Sequence, residues 1–237
     1  MNKKGQGKLF LIPSAIGNEF KDREVMAQTG ELLPVIKHFV VESEKQARRF
    51  IKWVNRDIDI NSITFYPMGK HSHTNELRNW LDAAKAGMDV GVISDAGCPG
   101  VADPGGAVVA TAHESGIEVV PLVGPSSILL ALMSSGFSGQ LFTFNGYLPH
   151  DSKERKATLT RLESLSRKGH TQIFMETPFR NTKLLTEICG TLGSETKLGV
   201  ASGLLSGNQR ISVKTIKEWN KRIPNLDKEP CIFLLGN

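Results

Sequence analysis

The stretch "ISDAGCPGVADPGG", residues 93–106, places two carboxylates, one thiol, four glycines and two prolines in fourteen positions. Glycine lets a backbone approach a ligand closely and adopt positive φ. Asp103-Pro104 is a helix start, with Asp as the N-cap and Pro in the first turn. Asp103 therefore reads as a cap rather than a catalyst. Asp95 stands at the exit of an apolar run and has no such duty. Two readings are open for the stretch: a loop that cradles a ligand and runs into a helix, or a tight turn that touches nothing. Two other turns share its character, "IPSAIGN" (12–18) and "PLVGPSS" (121–127). The serines of the latter can cap the next helix or face a ligand. The first turn lacks the GxGxxG fingerprint, and no GxxxxGK[ST] occurs, which argues against a standard nicotinamide-dinucleotide site and a P-loop ATPase. Three such turns without a phosphate signature suit a ligand held by main-chain groups and apolar walls. The three cysteines, Cys98, Cys189 and Cys231, are odd in number and form no CxxC pair, so neither a disulfide framework nor a cysteine zinc site is expected. No metal is expected.

The elements that must position these turns follow from the hydrophobic pattern. "KLFLI" (8–12), "HFVV" (38–41), "SITFY" (62–66), "VGVIS" (90–94) and "IEVVPL" (117–122) read as buried strands. Between them, Ala47, Phe50, Ile51 and Val54 fall at i, i+3, i+4, i+7, and so do Leu77, Trp80, Leu81 and Ala84. Gly87 and Gly116 stand where helix C-caps belong. Alternating strands and helices imply a parallel sheet covered by helices. In the second half a helix starts near Pro125 and runs to Gly136. Further helices are expected at about 151–168 and 178–190. Strands are expected at 141–145, 171–176, 197–202, 209–213 and 231–236. The boundary falls near "LVGP" (122–125), dividing the chain into residues 1–122 and 123–237.

The 237 residues are 40% hydrophobic and 22% charged, as in an ordinary globular protein. No apolar run approaches the ~20 residues of a spanning helix. The basic N-terminus has an apolar stretch, Leu9 to Ile12, too short for a signal peptide, so a cytoplasmic protein with no membrane partner is expected. The net charge of +5 favours anionic partners such as RNA or acidic cofactors.

In this order, the turns resemble the tetrapyrrole (corrin/porphyrin) methylase superfamily. Within it, they are most similar to the small-subunit ribosomal RNA (cytidine-2′-O)-methyltransferases. That family shows "TPIGN", "SDAGTPxxSDPG", "PxPGPSA" and "ESPHR". Here the stretches are "PSAIGN", "SDAGCPGVADPGG", "PLVGPSS" and "ETPFR" (176–180). The resemblance covers nearly all of residues 8–237. It implies two α/β domains, an N-terminal parallel sheet and a C-terminal mixed sheet, with S-adenosyl-L-methionine in the cleft between them, and a homodimer. It also implies the lining of the cofactor: Ile16, Asp95, Cys98, Val101, Ala102, Ser126, Ser127, Met175, Leu204 and Cys231. Cys98 is then a wall residue, not a nucleophile.

The substrate side departs from that family. "VESEKQARR" (41–49) stands in place of "AEDTR", "KHSHTNE" (70–76) in place of a "HEHNE"-like stretch, and "SGLLS" (202–206) in place of "RELTK". Transfer of a methyl group to a ribose hydroxyl needs a base or strong polarisation of the O–H. Glu42, at a strand end, and His73, near the next, are the substrate-side candidates. Glu42 can equally be a carboxylate favoured by a helix N-terminus, and His71 and His73 surface residues. No base is assigned. Lys45, Arg48, Arg49 and Lys52 share one helix, and Lys153, Arg155, Lys156 and Arg161 another. Each face is either solvated or binds RNA phosphates. The expected function is methyl transfer from S-adenosylmethionine to RNA, the alternatives being a corrinoid or porphyrinoid acceptor and a non-catalytic cofactor-binding module.

Overall fold

A computed structural model describes residues 5–16, 27–69 and 74–237. The chain divides into two compact units, residues 1–126 and 127–237.

In the first unit, strands β1 (Leu9–Ile12), β2 (His38–Val41), β3 (Thr64–Pro67), β4 (Val90–Ile93) and β5 (Val119–Pro121) form one sheet in the order β3-β2-β4-β1-β5. Every pairing is parallel. Both faces are covered, which is why the strands read as unbroken apolar runs. Side chains alternate between two cores. Phe10, Ile12, Phe39, Val41 and Ile93 pack with Leu33 and Ile36, beyond α1 (Ala27–Leu32), and with Phe50 and Ile51 of α2 (Glu44–Val54). Leu9, Val40, Val90 and Val92 pack with Leu77 of α3 (Thr74–Trp80), Ala83 and Ala84 of α4 (Asp82–Lys85), and Val108 and Ala112 of α5 (Gly105–Glu114). The helical pattern over 77–84 is broken at Leu81, so one expected helix is two.

This arrangement locates a crevice. The crossovers after β1 and β2 run toward β3 and place their helices on one face. The crossover after β4 runs the other way, toward β5, and places α5 on the opposite face. The carboxyl end of β4 is thus a topological switch point, where open parallel sheets bind ligands.

In the second unit, β6 (Phe142–Tyr147), β7 (Thr171–Met175), β8 (Lys197–Ser202), β9 (Arg210–Thr215) and β10 (Cys231–Gly236) have the order β6-β7-β10-β8-β9. Only β6 and β7 are parallel, so the sheet is mixed, as expected. Helix α6 (Ser127–Ser135) covers one face through Ala131 and Leu132, against Ile173, Ala201, Ile232 and Leu234. Helices α7 (Ser152–Ser166), α8 (Asn181–Thr191) and α9 (Ile216–Lys221) cover the other, against Phe174, Leu198, Val200, Phe233 and Leu235. A single 3-10 turn over Pro178–Arg180 precedes α8.

Candidate active site

The three glycine- and proline-rich turns leave the carboxyl ends of β1, β4 and β5, and they interlock. Ser14 N–H donates to Gly97 O at 3.0 Å, and Gly97 N–H returns to Ser14 O at 3.2 Å. The buried Ser14 hydroxyl donates to Ser94 O at 2.9 Å. Gly97 has φ +73°, and a Cβ there would lie 3.3 Å from the Pro125 carbonyl oxygen and 3.8 Å from the Ile16 side chain. The Cys98 thiol donates to that same carbonyl at 3.4 Å. Gly124 rests on Pro13, where a Cβ would come within 2.2 Å of the proline ring. Glycine is therefore required at 124 by turn packing on turn and favoured at 97 by the left-handed backbone.

The remainder of the central loop is tied at its ends and open between them. The Asp103 carboxylate accepts the N–H of Gly100 at 2.9 Å and of Gly105 at 2.6 Å, so it organises the loop and the start of α5. Between these ties Val101 is 48% exposed. Ala102 has φ +63°, a conformation that costs a non-glycine residue roughly 1–2 kcal/mol. Uncovered apolar surface and a strained non-glycine backbone at a switch point suit an apolar-walled ligand site. Bare backbone beside the exposed Val101 side chain can accommodate a ligand of the kind of S-adenosylmethionine, which has both polar and apolar parts.

Two carboxylates flank the same strand end. Asp95 N–H donates to Glu42 Oε2 at 3.2 Å, and the Asp95 carboxylate accepts the N–H of Ser43. Each acid thus binds the other's segment, joining the ends of β2 and β4. Ser43 caps α2, accepting from Gln46 N–H. Asp95 is exposed, yet the loop around it withholds enough water to push its carboxyl above its ordinary value, against the opposing pull of the Ser43 N–H. Burial, helped by the charge of Asp103, pushes the Cys98 thiol up, which suits a wall residue better than a nucleophile.

Ser126 ends the first unit, directly after Pro125, and the remaining expected residues lie in the second unit or outside the described residues. Ser127 opens α6. Half-buried Met175 and buried Leu204 share the sheet face under α6. Cys231 points to the opposite face, among Phe174, Val200 and Phe233, and burial followed by the charge of Glu229 pushes its thiol up to about 12. In "ETPFR", Arg180 Nη2 donates to both Glu176 oxygens at 2.8 and 2.9 Å and to His150 Nδ1 at 2.8 Å. His73 lies outside the described residues. The structure thus brings together Ile16, Cys98 and the carbonyl before Ser126, and sets Asp95 beside Glu42. It separates the Cys231 side chain from Met175 and Leu204. Sequence reasoning missed Ser14, Ser94 and Gly124, which make the interlock. Their only local sign is small size, because their partners lie 80 or more residues away in the chain. Among the described residues no cluster of His, Cys, Asp or Glu could hold a metal ion, and no helix is long and apolar enough to cross a membrane.

Comparison with known proteins agrees with this geometry. A profile of the family "Tetrapyrrole (Corrin/Porphyrin) Methylases" matches residues 25–220. The chain is 28% identical over 230 residues to "Ribosomal RNA small subunit methyltransferase I" of Vibrio cholerae, covering 96% of this chain and 76% of that protein. It is 31% identical over 198 residues to the Synechocystis protein of the same name, covering 84% of this chain and 67% of that one. Among solved structures, the methyltransferase CobJ superposes with a TM-score of 0.64 at 20% identity, covering 98% of this chain and 94% of that one. Uroporphyrin-III C-methyl transferase from Thermus thermophilus, complexed with S-adenyl homocysteine, superposes with a TM-score of 0.58 at 16% identity, covering 98% of both chains. These two likenesses bear on the fold.

Proposed function

Because the chain belongs to the family of tetrapyrrole (corrin/porphyrin) methylases, we propose that it transfers the methyl group of S-adenosylmethionine to small-subunit ribosomal RNA, at a ribose 2′-hydroxyl. The observation that carries the acceptor is the identity of 28–31% to ribosomal RNA methyltransferases over most of the chain.

Bound S-adenosylmethionine supplies a sulfonium-borne methyl group together with its own leaving group. The chain's own work is positioning and proton handling. Backbone at 97–102 with Ile16, Cys98 and Val101 would hold the cofactor, and alignment of acceptor and methyl group can contribute ~7–11 kcal/mol. The acceptor hydroxyl that took the methyl group would have to give up its proton, and the chain must supply a group to take it. The Glu42–Asp95 pair is the carboxylate group at that strand end for polarising or receiving the proton. Holding Asp95 above its ordinary value makes it a stronger acceptor than a free carboxylate. This reading also carries a homodimer and a cytoplasmic location. The dimer is supported by Leu141, Phe142 and Tyr147, exposed at or beside edge strand β6.

The test is incubation with labelled cofactor and an extract of cells lacking the protein, fractionated into RNA, protein and small molecules. Label in small-subunit ribosomal RNA, recovered after alkaline hydrolysis in dinucleotides because a methylated 2′-hydroxyl cannot attack the adjacent phosphodiester, is the expected result. Label confined to a corrinoid fraction, or no transfer despite tight cofactor binding, overturns it.

A further inference from the structure

The net charge is not shared between the two units. Residues 1–126 hold 14 Lys and Arg against 15 Asp and Glu, 14 − 15 = −1, whereas residues 127–237 hold 15 against 9, 15 − 9 = +6. Within the second unit the excess concentrates in 13 residues. Arg210, Lys214, Lys217, Lys221 and Arg222 stand against Glu218 alone, 5 − 1 = +4. All five cations are exposed. They belong to edge strand β9, to α9 and to the residue after it.

Their placement is one surface. In the β8–β9 register Arg210 lies opposite Ser202 and Lys214 opposite Leu198. Leu198 faces the core that α9 also joins through Ile216 and Trp219, so Lys214 lies on the α9 side, its Nζ 4.8 Å from the centre of the Trp219 ring. Lys217 and Lys221 are four apart on α9 and share one flank. The lone acid is committed elsewhere. Glu218 closes a capping box with Thr215, whose backbone and hydroxyl hydrogen bonds hold it ionised, helped by Lys221 and Lys214. Among the described residues none of the five cations is in an ion pair. Lysine on an edge strand guards against strand pairing. That accounts for Arg210 and Lys214, but not for the three cations of the helical segment.

The contrast is α2, the basic helix that sequence reading also marked. There Arg48 is bound to Glu44 at 2.7 Å and lies over Phe65 at 4.7 Å, and Lys52 Nζ is spent on Arg56 O at 2.8 Å.

We propose that the β9–α9 surface, through Lys217, Lys221 and Arg222, is a docking face for the phosphate backbone of the RNA substrate. This rests on the reading of the acceptor as RNA. Unpaired cations release counterions when they neutralise phosphates, so the surface supplies affinity and orientation while the acceptor's identity is read elsewhere.

The experiment measures binding of a small-subunit ribosomal RNA transcript, by fluorescence anisotropy across a salt series, for the parent chain, a Lys217→Gln/Lys221→Gln/Arg222→Gln variant, and an Arg48→Gln/Lys52→Gln variant of α2. Cofactor affinity is followed in parallel by calorimetry. The triple variant is expected to bind roughly tenfold more weakly at 0.1 M salt, with the log–log salt slope reduced by about 2. Its KM for RNA should rise while kcat and cofactor affinity stay at parent values, and the α2 variant should bind like the parent. A triple variant with parental affinity and slope overturns the docking face and leaves the RNA reading standing. A parent that binds cofactor but no transcript at low salt removes the RNA reading, and the docking face with it.

Discussion

Gly124 shows how little room the interlocked turns have. Alanine there must displace the Pro13 ring, since its Cβ would sit 2.2 Å from the proline Cβ. Overpacking of this kind costs about 1–3 kcal/mol. Gly124→Ala is expected to lower the urea midpoint accordingly and to weaken cofactor binding more than a distant substitution of equal stability cost. Unchanged binding in calorimetry would show that the interlock does not shape the site. Gly97→Ala tests the same idea through backbone strain, at roughly 1–2 kcal/mol for a left-handed non-glycine residue. Glu176 gives a prediction in pH. Burial alone would raise its carboxyl, but the hydrogen bonds from Arg180 and the Thr177 N–H outweigh that and hold it below its ordinary value. A depressed carboxylate stabilises the fold above its unfolded pKa and loses that contribution as pH falls through the folded one. Glu176→Gln should therefore cost about 2 kcal/mol near neutrality. The gap to the parent should close below about pH 4. Denaturation curves at pH 7 and pH 3 decide this, and a gap of constant size would refute it.

The elements of the second unit are tied by a buried ion pair between α7 and α8. Arg155 Nε and Nη2 hold Glu187 at 2.8 and 2.6 Å, while Nη1 holds the carbonyls of Pro149 and His150. The sequence places Arg155 on an exposed basic face, either solvated or binding RNA phosphates. The structure corrects this, for Arg155 is only 8% exposed. Arg155→Met leaves Glu187 buried without its partner and is expected to destabilise by about 3–5 kcal/mol, while Arg155→Met/Glu187→Leu should recover most of that. A double variant no better than the single one would mean that the two carbonyls, not Glu187, are the partners that matter. Strands β1, β2 and β4 were readable because both their faces are buried, which writes continuous apolar runs. Helix α9 was missed because its six residues bury only Ile216 and Trp219, too few for a period to show. The loop "SDAGCPGVADPGG" marked the site, but its partners at 13–14 and 124–125 were not legible as partners, because pairing across the sheet leaves no local pattern. Nor could the left-handed backbone of Ala102 be read from an alanine.

At the scale of the whole molecule, the two edges of the mixed sheet differ in what they expose. Strand β6 ends the mixed sheet and leaves Leu141 52%, Phe142 39% and Tyr147 56% exposed at or beside it. The opposite edge, β9, carries Arg210 and Lys214. If the first edge is the homodimer face, Leu141→Glu/Phe142→Lys should shift sedimentation from dimer to monomer at micromolar concentration while leaving the circular dichroism spectrum unchanged. A parent that sediments as a monomer removes the dimer reading.

The strand order has a consequence for how the protein is born. Among the described residues strand β1 pairs only with β4 and β5, and Ser14 waits 80 residues for Ser94. During synthesis the first strand therefore emerges with no neighbour on either side. It stays an unpaired apolar segment until residues 90–93 leave the ribosome, a period in which chaperones have something to hold. The closing of the turns waits longer still, for Pro125. Ligand cannot rescue a chain stalled before that point, because until then the interlocked turns of the first sheet do not exist.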